Sequence, residues 1–556
     1  MAIIVSNFHD KVVYQVYPKS FKDSNGDGIG DLRGVIEKLA YLADLGVDML
    51  WLNPFFTSPQ NDNGYDISNY KEIDPLFGTM ADFEELVHKA EALGMEIMLD
   101  MVLNHSSTEH EWFQKALAGD KEYQDYYYLR PAQENGDLPT NWESKFGGPS
   151  WSKFGQTDLY YMHLFDPTQA DLNWHNPKVR EELHQVVNFW LNKGVKGFRF
   201  DVINLIGKST TELVDDLTGN GKPLYTDQPI VHDYLKEMNQ ATFGRVADTV
   251  TVGEMSSTTI ENCVLYSNPT REELSMAFSF HHLKVDYVDG EKWSLMPFDF
   301  LALKNILNDW QTGMSEGDGW NALFWNNHDQ PRAISRFADP VNYHSESATL
   351  LAQTIHLLRG TPYIYQGEEL GMTNPDYEAI EDFMDIETHN AYRELHEKGL
   401  SESEAMAIIR EKSRDNNRTP MQWTDEEHAG FTTGTPWLKV VDNYREINVA
   451  KEVAKGSIFS YYQRLIQLRK ELPIIANGSY EGLLLEHPSV YAYARHLDGE
   501  TVLVFNHFYA EPVTIQVPEE YLNRSSRYLI GNGQERELTS SLTLAPYETI
   551  AFYLDA

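Results

Sequence analysis

The residues able to do chemistry sit at the ends of apolar runs. Residues 194–205 read Gly-Val-Lys-Gly-Phe-Arg-Phe-Asp-Val-Ile-Asn-Leu, placing Arg199 and Asp201 where a buried strand normally carries no charge. Strand side chains alternate, so Arg199 and Asp201 share one face while Phe198, Phe200 and Val202 share the other. In a parallel barrel the phenylalanines would meet the outer helices and the charged pair would look toward the C-terminal mouth. A fixed guanidinium offsets desolvation of a buried aspartate, so Asp201 is expected to stay ionised and to serve as a nucleophile. Three more runs end in the same way: DMVLNH (Asp100, Asn104, His105), TVGEM (Glu254) and FWNNHD (His328, Asp329). Converging carboxylates are what cleavage of a glycosidic bond requires, one as nucleophile and one as acid/base.

The elements that must position these groups are eight β-branched or aromatic runs, at residues 12–17, 49–53, 96–104, 197–204, 249–254, 276–281, 321–327 and 362–366. Helical periodicity fills most of the intervals, as at 32–45, 80–93 and 177–193, the first two closed by glycine and the third opened by proline. Eight strands alternating with helices predict an α/β fold, a (β/α)8 TIM barrel. An aromatic-rich stretch at 106–174 interrupts it after the third strand and reads as an inserted subdomain over the site. Beyond residue 480 short alternating runs predict a C-terminal antiparallel β-sandwich. The expected layout is therefore barrel over 1–105 and 175–479, subdomain at 106–174 and β domain at 480–556.

The formal charge of −39, from 45 basic and 84 acidic residues, argues against nucleic acid or an anionic membrane as partner. One cysteine permits neither an internal disulfide nor a thiolate metal cluster. There is no signal-peptide pattern and no run of about 18 apolar residues, so a cytoplasmic monomer acting on a small molecule is expected. Residues 23–31, DSNGDGIGD, place Asp23, Asn25 and Asp27 at alternate positions, followed by Gly28, the Ile29 carbonyl and Asp31. Such hard oxygen donors suit a structural Ca²⁺, or Mg²⁺ with retained waters. No cofactor is expected for catalysis.

The four strand-end segments resemble the signature regions of the α-amylase-type glycoside hydrolases, family 13, and the resemblance runs over nearly the whole chain. It implies Asp201 as nucleophile, Glu254 as acid/base and Asp329 as the third carboxylate, with Arg199, His105 and His328 around the −1 sugar. DNGYD is similar to a −1 binding motif, implying Asp62 on the glucose hydroxyls and Tyr65 beneath the ring; Phe165, in YYMHLFDP, joins the substrate-binding set. DNNRTPMQW resembles the oligosaccharide α-glucosidase pattern in which Arg418 pairs with Asp62 and closes the pocket behind one glucose, implying exo action. The implied reaction is a double displacement with retention, which needs Glu254 to hold its proton more tightly than Asp201 and the two carboxyls to lie about 5–5.5 Å apart. The loop at 23–31 also resembles the metal loop of oligo-1,6-glucosidases.

Within the family, NWESKFGGPSW, VGEMSSTT and above all FSFHHLKVDYVDGEKW resemble the branch acting on α,α-trehalose 6-phosphate. Val202 after the nucleophile fits α-1,6 or α,α-1,1 bonds. The alternative is an oligo-1,6-glucosidase or dextran glucosidase. A phosphate of charge about −2 would be read by nearby cations, because charges beyond about 8 Å are screened. Lys284 and Lys292 are expected to build that +1 site, with His282 and Arg332 beside them.

Overall fold

The computed structural model describes residues 8–209, 212–455 and 458–556. All eight expected runs become parallel strands: β1 (Val13–Val16), β2 (Met49–Leu52), β3 (Glu96–Met101), β4 (Gly197–Phe200), β5 (Val250–Glu254), β6 (Met276–Phe278), β7 (Ala322–Leu323) and β8 (Thr361–Tyr365). They pair in the order β6-β5-β4-β3-β2-β1-β8-β7, and a parallel bridge between Ala277 and Asn321 joins the ends into a ring. All residues of β1, β2, β4 and β8 are buried, as expected where helices cover the outside and side chains fill the inside.

Local sequence sets the boundaries. The helical run at 32–45 is split into α1 (Leu32–Glu37) and α2 (Leu39–Leu45) at Lys38, whose φ of −103° and ψ of 3° leave the helical region. Thr79 and Asp82 form a capping box on α3 (Met80–Ala92), and Pro177 opens α4 (Pro177–Asn192) behind an Asn176 cap. β4 ends at Phe200, earlier than its apolar run, because Val202 takes φ 38° and ψ 38°. A left-handed β-branched residue is strained. That turn rotates Val202 away from the outer face where strand alternation places it and into the mouth of the barrel.

Between β3 and α4 the chain forms short sheets, pairing His105–Ser107 with Gln169–Asp171 and Trp151–Lys153 with Leu159–Met162. Their apolar cluster (Trp142, Trp151, Met162, Leu164) packs on Val202 and Leu205, so the insertion rests directly on the turn that follows β4. A buried ion pair reinforces this junction: Lys208 Nζ lies 2.6 Å from Asp171 and 2.8 Å from Asn104 Oδ1. The C-terminal part holds a five-stranded antiparallel sheet and a two-stranded one, with strands that include Ser479–Leu483, Ser526–Gly531 and Ser541–Leu544. No helix among the described residues is long and apolar enough to cross a membrane.

Candidate active site

Arg199 organises the mouth of the barrel. It is fully buried, and its Nη1 donates to Asp100 Oδ1 at 2.8 Å and Asp201 Oδ1 at 2.7 Å, while Nη2 lies 2.6 Å from Glu254 Oε2. The strands explain the convergence: Arg199 pairs in register with Asp100 on β3 and Val252 on β5, so the ends of three adjacent strands meet on one guanidinium. Glu254 also accepts the Val202 amide at 3.1 Å. The strained turn therefore aims a backbone donor at one carboxylate while presenting the other.

Asp201 and Glu254 are held side by side on one guanidinium, Asp201 on Nη1 and Glu254 on Nη2 of Arg199, as a nucleophile and acid/base pair requires. Burial pushes the Asp201 carboxyl well above the usual range; Arg199 opposes this, and Glu254 and Asp100 add to it. The expectation that Arg199 offsets the desolvation of Asp201 is therefore corrected: burial outweighs it. One guanidinium is shared among three buried carboxylates, so its positive charge is divided and does not outweigh the burial of Asp201. Asp100 is itself pushed to about 6 by burial and is steadied by Tyr65 and Trp51.

A second ring of charge lies opposite. Asp329 accepts from Arg418 Nη2 at 2.9 Å and Arg414 Nη1 at 3.3 Å. Burial alone would raise its carboxyl, but His328 and the two arginines hold it well below the usual range. Burial drives His328 neutral, so the arginines do most of this work. The expected Asp62–Arg418 pair is not formed: Asp62 Oδ1 meets Arg414 Nη2 at 3.0 Å, whereas Arg418 binds the His328 carbonyl, Asp329 and Asp385. Arg414 lies four residues before Arg418, on the short helical turn Arg414–Asn417, and that turn directs its side chain across the pocket. Burial pushes Asp62 up to about 7 despite both arginines. Tyr65 stacks on His328 with centroids 5.2 Å apart, and His105, lowered to about 4 by burial, contacts the Tyr65 carbonyl at 3.1 Å and packs against Phe165.

These groups enclose a pocket of about 230 Å³, lined by Asp62, Tyr65, His105, Phe165, Asp201, Val202, Glu254, Asp329 and Arg414 together with Lys145, Lys284 and Lys292. Lys284 is exposed, and Lys292 leans on Glu387 at 2.7 Å. Two of the basic residues expected with them lie elsewhere. His282 turns inward, contacting the Phe324 carbonyl at 2.7 Å, because the helical turn His281–Leu283 rotates it under the barrel wall. Arg332 is buried beneath the site, donating to the Gln366 carbonyl and lying over the Tyr365 ring. Sequence reasoning passed over Lys145 and Arg414. The only signal for Lys145 was a lysine inside the aromatic run NWESKFGGPSW.

The loop at 23–31 is largely satisfied by its own backbone. Asp23 accepts from the Asn25, Gly26 and Gly28 amides and from Thr432, while Asp31 caps α1 through Gly34. Among the described residues no group of three or more His, Cys, Asp or Glu side chains gathers as a metal site. Gly28 is obligatory there: its φ is 91°, and a Cβ would lie 1.8 Å from the Thr435 carbonyl oxygen.

A closed parallel barrel whose mouth holds a close-set, guanidinium-bound carboxylate pair defines a glycoside hydrolase. Residues 15–478 match the α-amylase catalytic domain and residues 490–551 the C-terminal domain of the α-amylase SusG; the chain belongs to the α-amylase family. It is 52% identical over 547 residues to the trehalose-6-phosphate hydrolase of Bacillus subtilis, covering 98% of this chain and 97% of that one. It is 47% identical to the oligo-1,6-glucosidase of Bacillus cereus, covering 98% and 99%. The crystal structure of Bacillus licheniformis trehalose-6-phosphate hydrolase superposes with a TM-score of 0.95 at 50% identity, over 99% of this chain and 100% of that one.

Proposed function

We propose that the protein is a retaining, exo-acting α-glucosidase that hydrolyses α,α-trehalose 6-phosphate to glucose and glucose 6-phosphate. Asp201 attacks the anomeric carbon of the non-phosphorylated glucose, and Glu254 passes its proton to the departing oxygen of glucose 6-phosphate. Glu254 then takes a proton from water, which hydrolyses the glucosyl ester and frees Asp201. The first step needs the proton on Glu254 and Asp201 as the anion. Arg199, at 2.7 Å from Asp201, favours that anion. Asp62, His105, Tyr65, Asp329 and Arg414 surround the −1 glucose. The chemistry calls on no cofactor.

The observation that carries the substrate assignment is charge: in a protein of net −39, three lysines face one pocket. Similarity to trehalose-6-phosphate hydrolases supports it, and similarity to oligo-1,6-glucosidases keeps isomaltose as the second reading. The loop's all-oxygen donor set fits a hard cation, and Asp27, the Ile29 carbonyl, Asn25, Asp23 and Asp31 would hold it as a structural clamp. The deciding experiment compares kcat/KM on trehalose 6-phosphate, isomaltose and an aryl α-glucoside. Lys284→Ala is expected to lower the value for the phosphorylated sugar about 10- to 150-fold more than for the aryl glucoside. Better turnover of isomaltose than of trehalose 6-phosphate would overturn the assignment.

A further inference from the structure

Lys145 differs from the other cations of the pocket. It comes from the inserted segment, lines the same pocket as Asp201 and Glu254, and donates to Ser256 Oγ at 3.1 Å, two residues past Glu254. Among the described residues it has no carboxylate within ion-pairing distance, unlike Lys292 on Glu387. The groups that face it are Lys222, at the start of the helix Lys222–Tyr225, Lys284, after β6, and Glu254, at the end of β5; the Tyr225 ring lies 5.5 Å from its ammonium. Two of the three charged neighbours are positive. A half-buried lysine beside two other ammonium groups is held where a cation is electrostatically unfavourable until an anion arrives.

We propose that Lys145 is the inner cation of the phosphate subsite and that it takes up a proton from solvent when the phosphorylated sugar binds. Burial, with Lys222 and Lys284 adding to it, brings its ammonium down to about 7, so at slightly alkaline pH the free protein holds it largely as the amine. A phosphate dianion in the pocket beside Lys145 and Lys284 reverses the sign of the local field and restores the ammonium. Binding of the anion and binding of one proton are thus coupled, and each strengthens the other. The inference rests on the phosphate reading given above and adds a residue and a pH signature to it.

The test is calorimetry of glucose 6-phosphate binding at pH 8, in buffers of different ionisation enthalpy. At that pH the phosphate, with a second pKa of about 6, contributes little of its own. Uptake of close to one proton per ligand is expected for the wild type, and little for Lys145→Arg, whose guanidinium is always charged. In kinetics, kcat/KM for trehalose 6-phosphate relative to an aryl α-glucoside should fall about five-fold from pH 7 to pH 8 in the wild type, as the amine fraction rises. It should stay flat in Lys145→Arg. Proton uptake near zero in the wild type, or equal in both proteins, overturns the inference while leaving the phosphate reading in place. Parallel losses on both substrates in Lys145→Met would assign the residue to Glu254 instead and overturn it too. Glucose 6-phosphate binding no more tightly than glucose would remove the phosphate reading itself, and this inference with it.

Discussion

Arg414 Nη2 reaches Asp62 Oδ1 at 3.0 Å and Asp385 Oδ1 at 2.5 Å, tying two acidic side chains from opposite ends of the barrel sequence into one wall of the pocket. Arg414→Gln leaves Asp62 buried without its nearest cation. The Asp62 carboxyl, already raised to about 7, then rises further. The expected result is a 10- to 150-fold lower kcat/KM on an aryl α-glucoside, from loss of a charge-assisted bond of about 1.5–3 kcal/mol. The acidic limb of the pH profile should move to higher pH. An unchanged limb would separate Asp62 from the ionisation that controls activity.

Asp201→Asn should have opposite effects on activity and stability. Turnover should fall by several orders of magnitude, because the nucleophile is lost. The carboxyl's folded-state pKa is raised, so its ionisation costs stability as pH rises above the unfolded value, and an amide does not ionise. The variant should therefore melt at a higher temperature than the wild type at pH 8, with the gap narrowing toward pH 4. A variant that is inactive but no more stable at pH 8 would contradict the crowded-carboxylate picture.

His356 offers a cleaner pH test, remote from catalysis. Both ring nitrogens lack a partner among the described residues, and burial, with Arg469 adding to it, lowers it to about 3. A folded-state pKa below the unfolded value means stability present above about 6.5 and lost as pH falls. Between pH 6.5 and pH 5 this loss is about 2 kcal/mol. His356→Phe, which meets Tyr462 with a similar ring, should lose about that much less on the same change, measured by chemical denaturation. Equal losses would mean that the ring is solvated or protonated in the fold.

Calcium added to chelator-treated protein is expected to raise the melting temperature, by an amount equivalent to about 2.7 kcal/mol at a hundredfold excess over Kd. Asp27→Ala should abolish the effect, since Asp27 is the exposed carboxylate of the loop. If calcium leaves both proteins unchanged, the self-satisfied hydrogen bonds of Asp23 and Asp31 are the whole of the loop's role.

The barrel was legible because its strands are short apolar runs, some with charge at the C-terminal end, as at Arg199, Asp201 and Glu254. The positions of Lys145, Lys208 and Arg414 were not. They lie on loops or, for Arg414, on a single helical turn, segments too short for a periodicity that would fix their direction from sequence. The same cause misplaced His282 and Arg332. Both follow a strand end closely in sequence, yet a single helical turn swings one under the wall, and the other is drawn to a backbone carbonyl. Val202 shows the limit most plainly: alternation puts it outside, and a left-handed dihedral pair puts it inside.

Barrel closure has a consequence for synthesis. β1 hydrogen-bonds to β8, and the Tyr17 amide donates to Gln366 Oε1, 349 residues further on. At roughly 5–20 residues per second, a ribosome needs about 20–70 s to deliver the partner of the first strand. During that interval the nascent chain carries an unpaired apolar edge at β1 beside strands that can already pair with one another. Nascent chains released before residue 366 should therefore depend on a holding chaperone, whereas chains stalled after β8 should be able to close the ring before the C-terminal sheet is made.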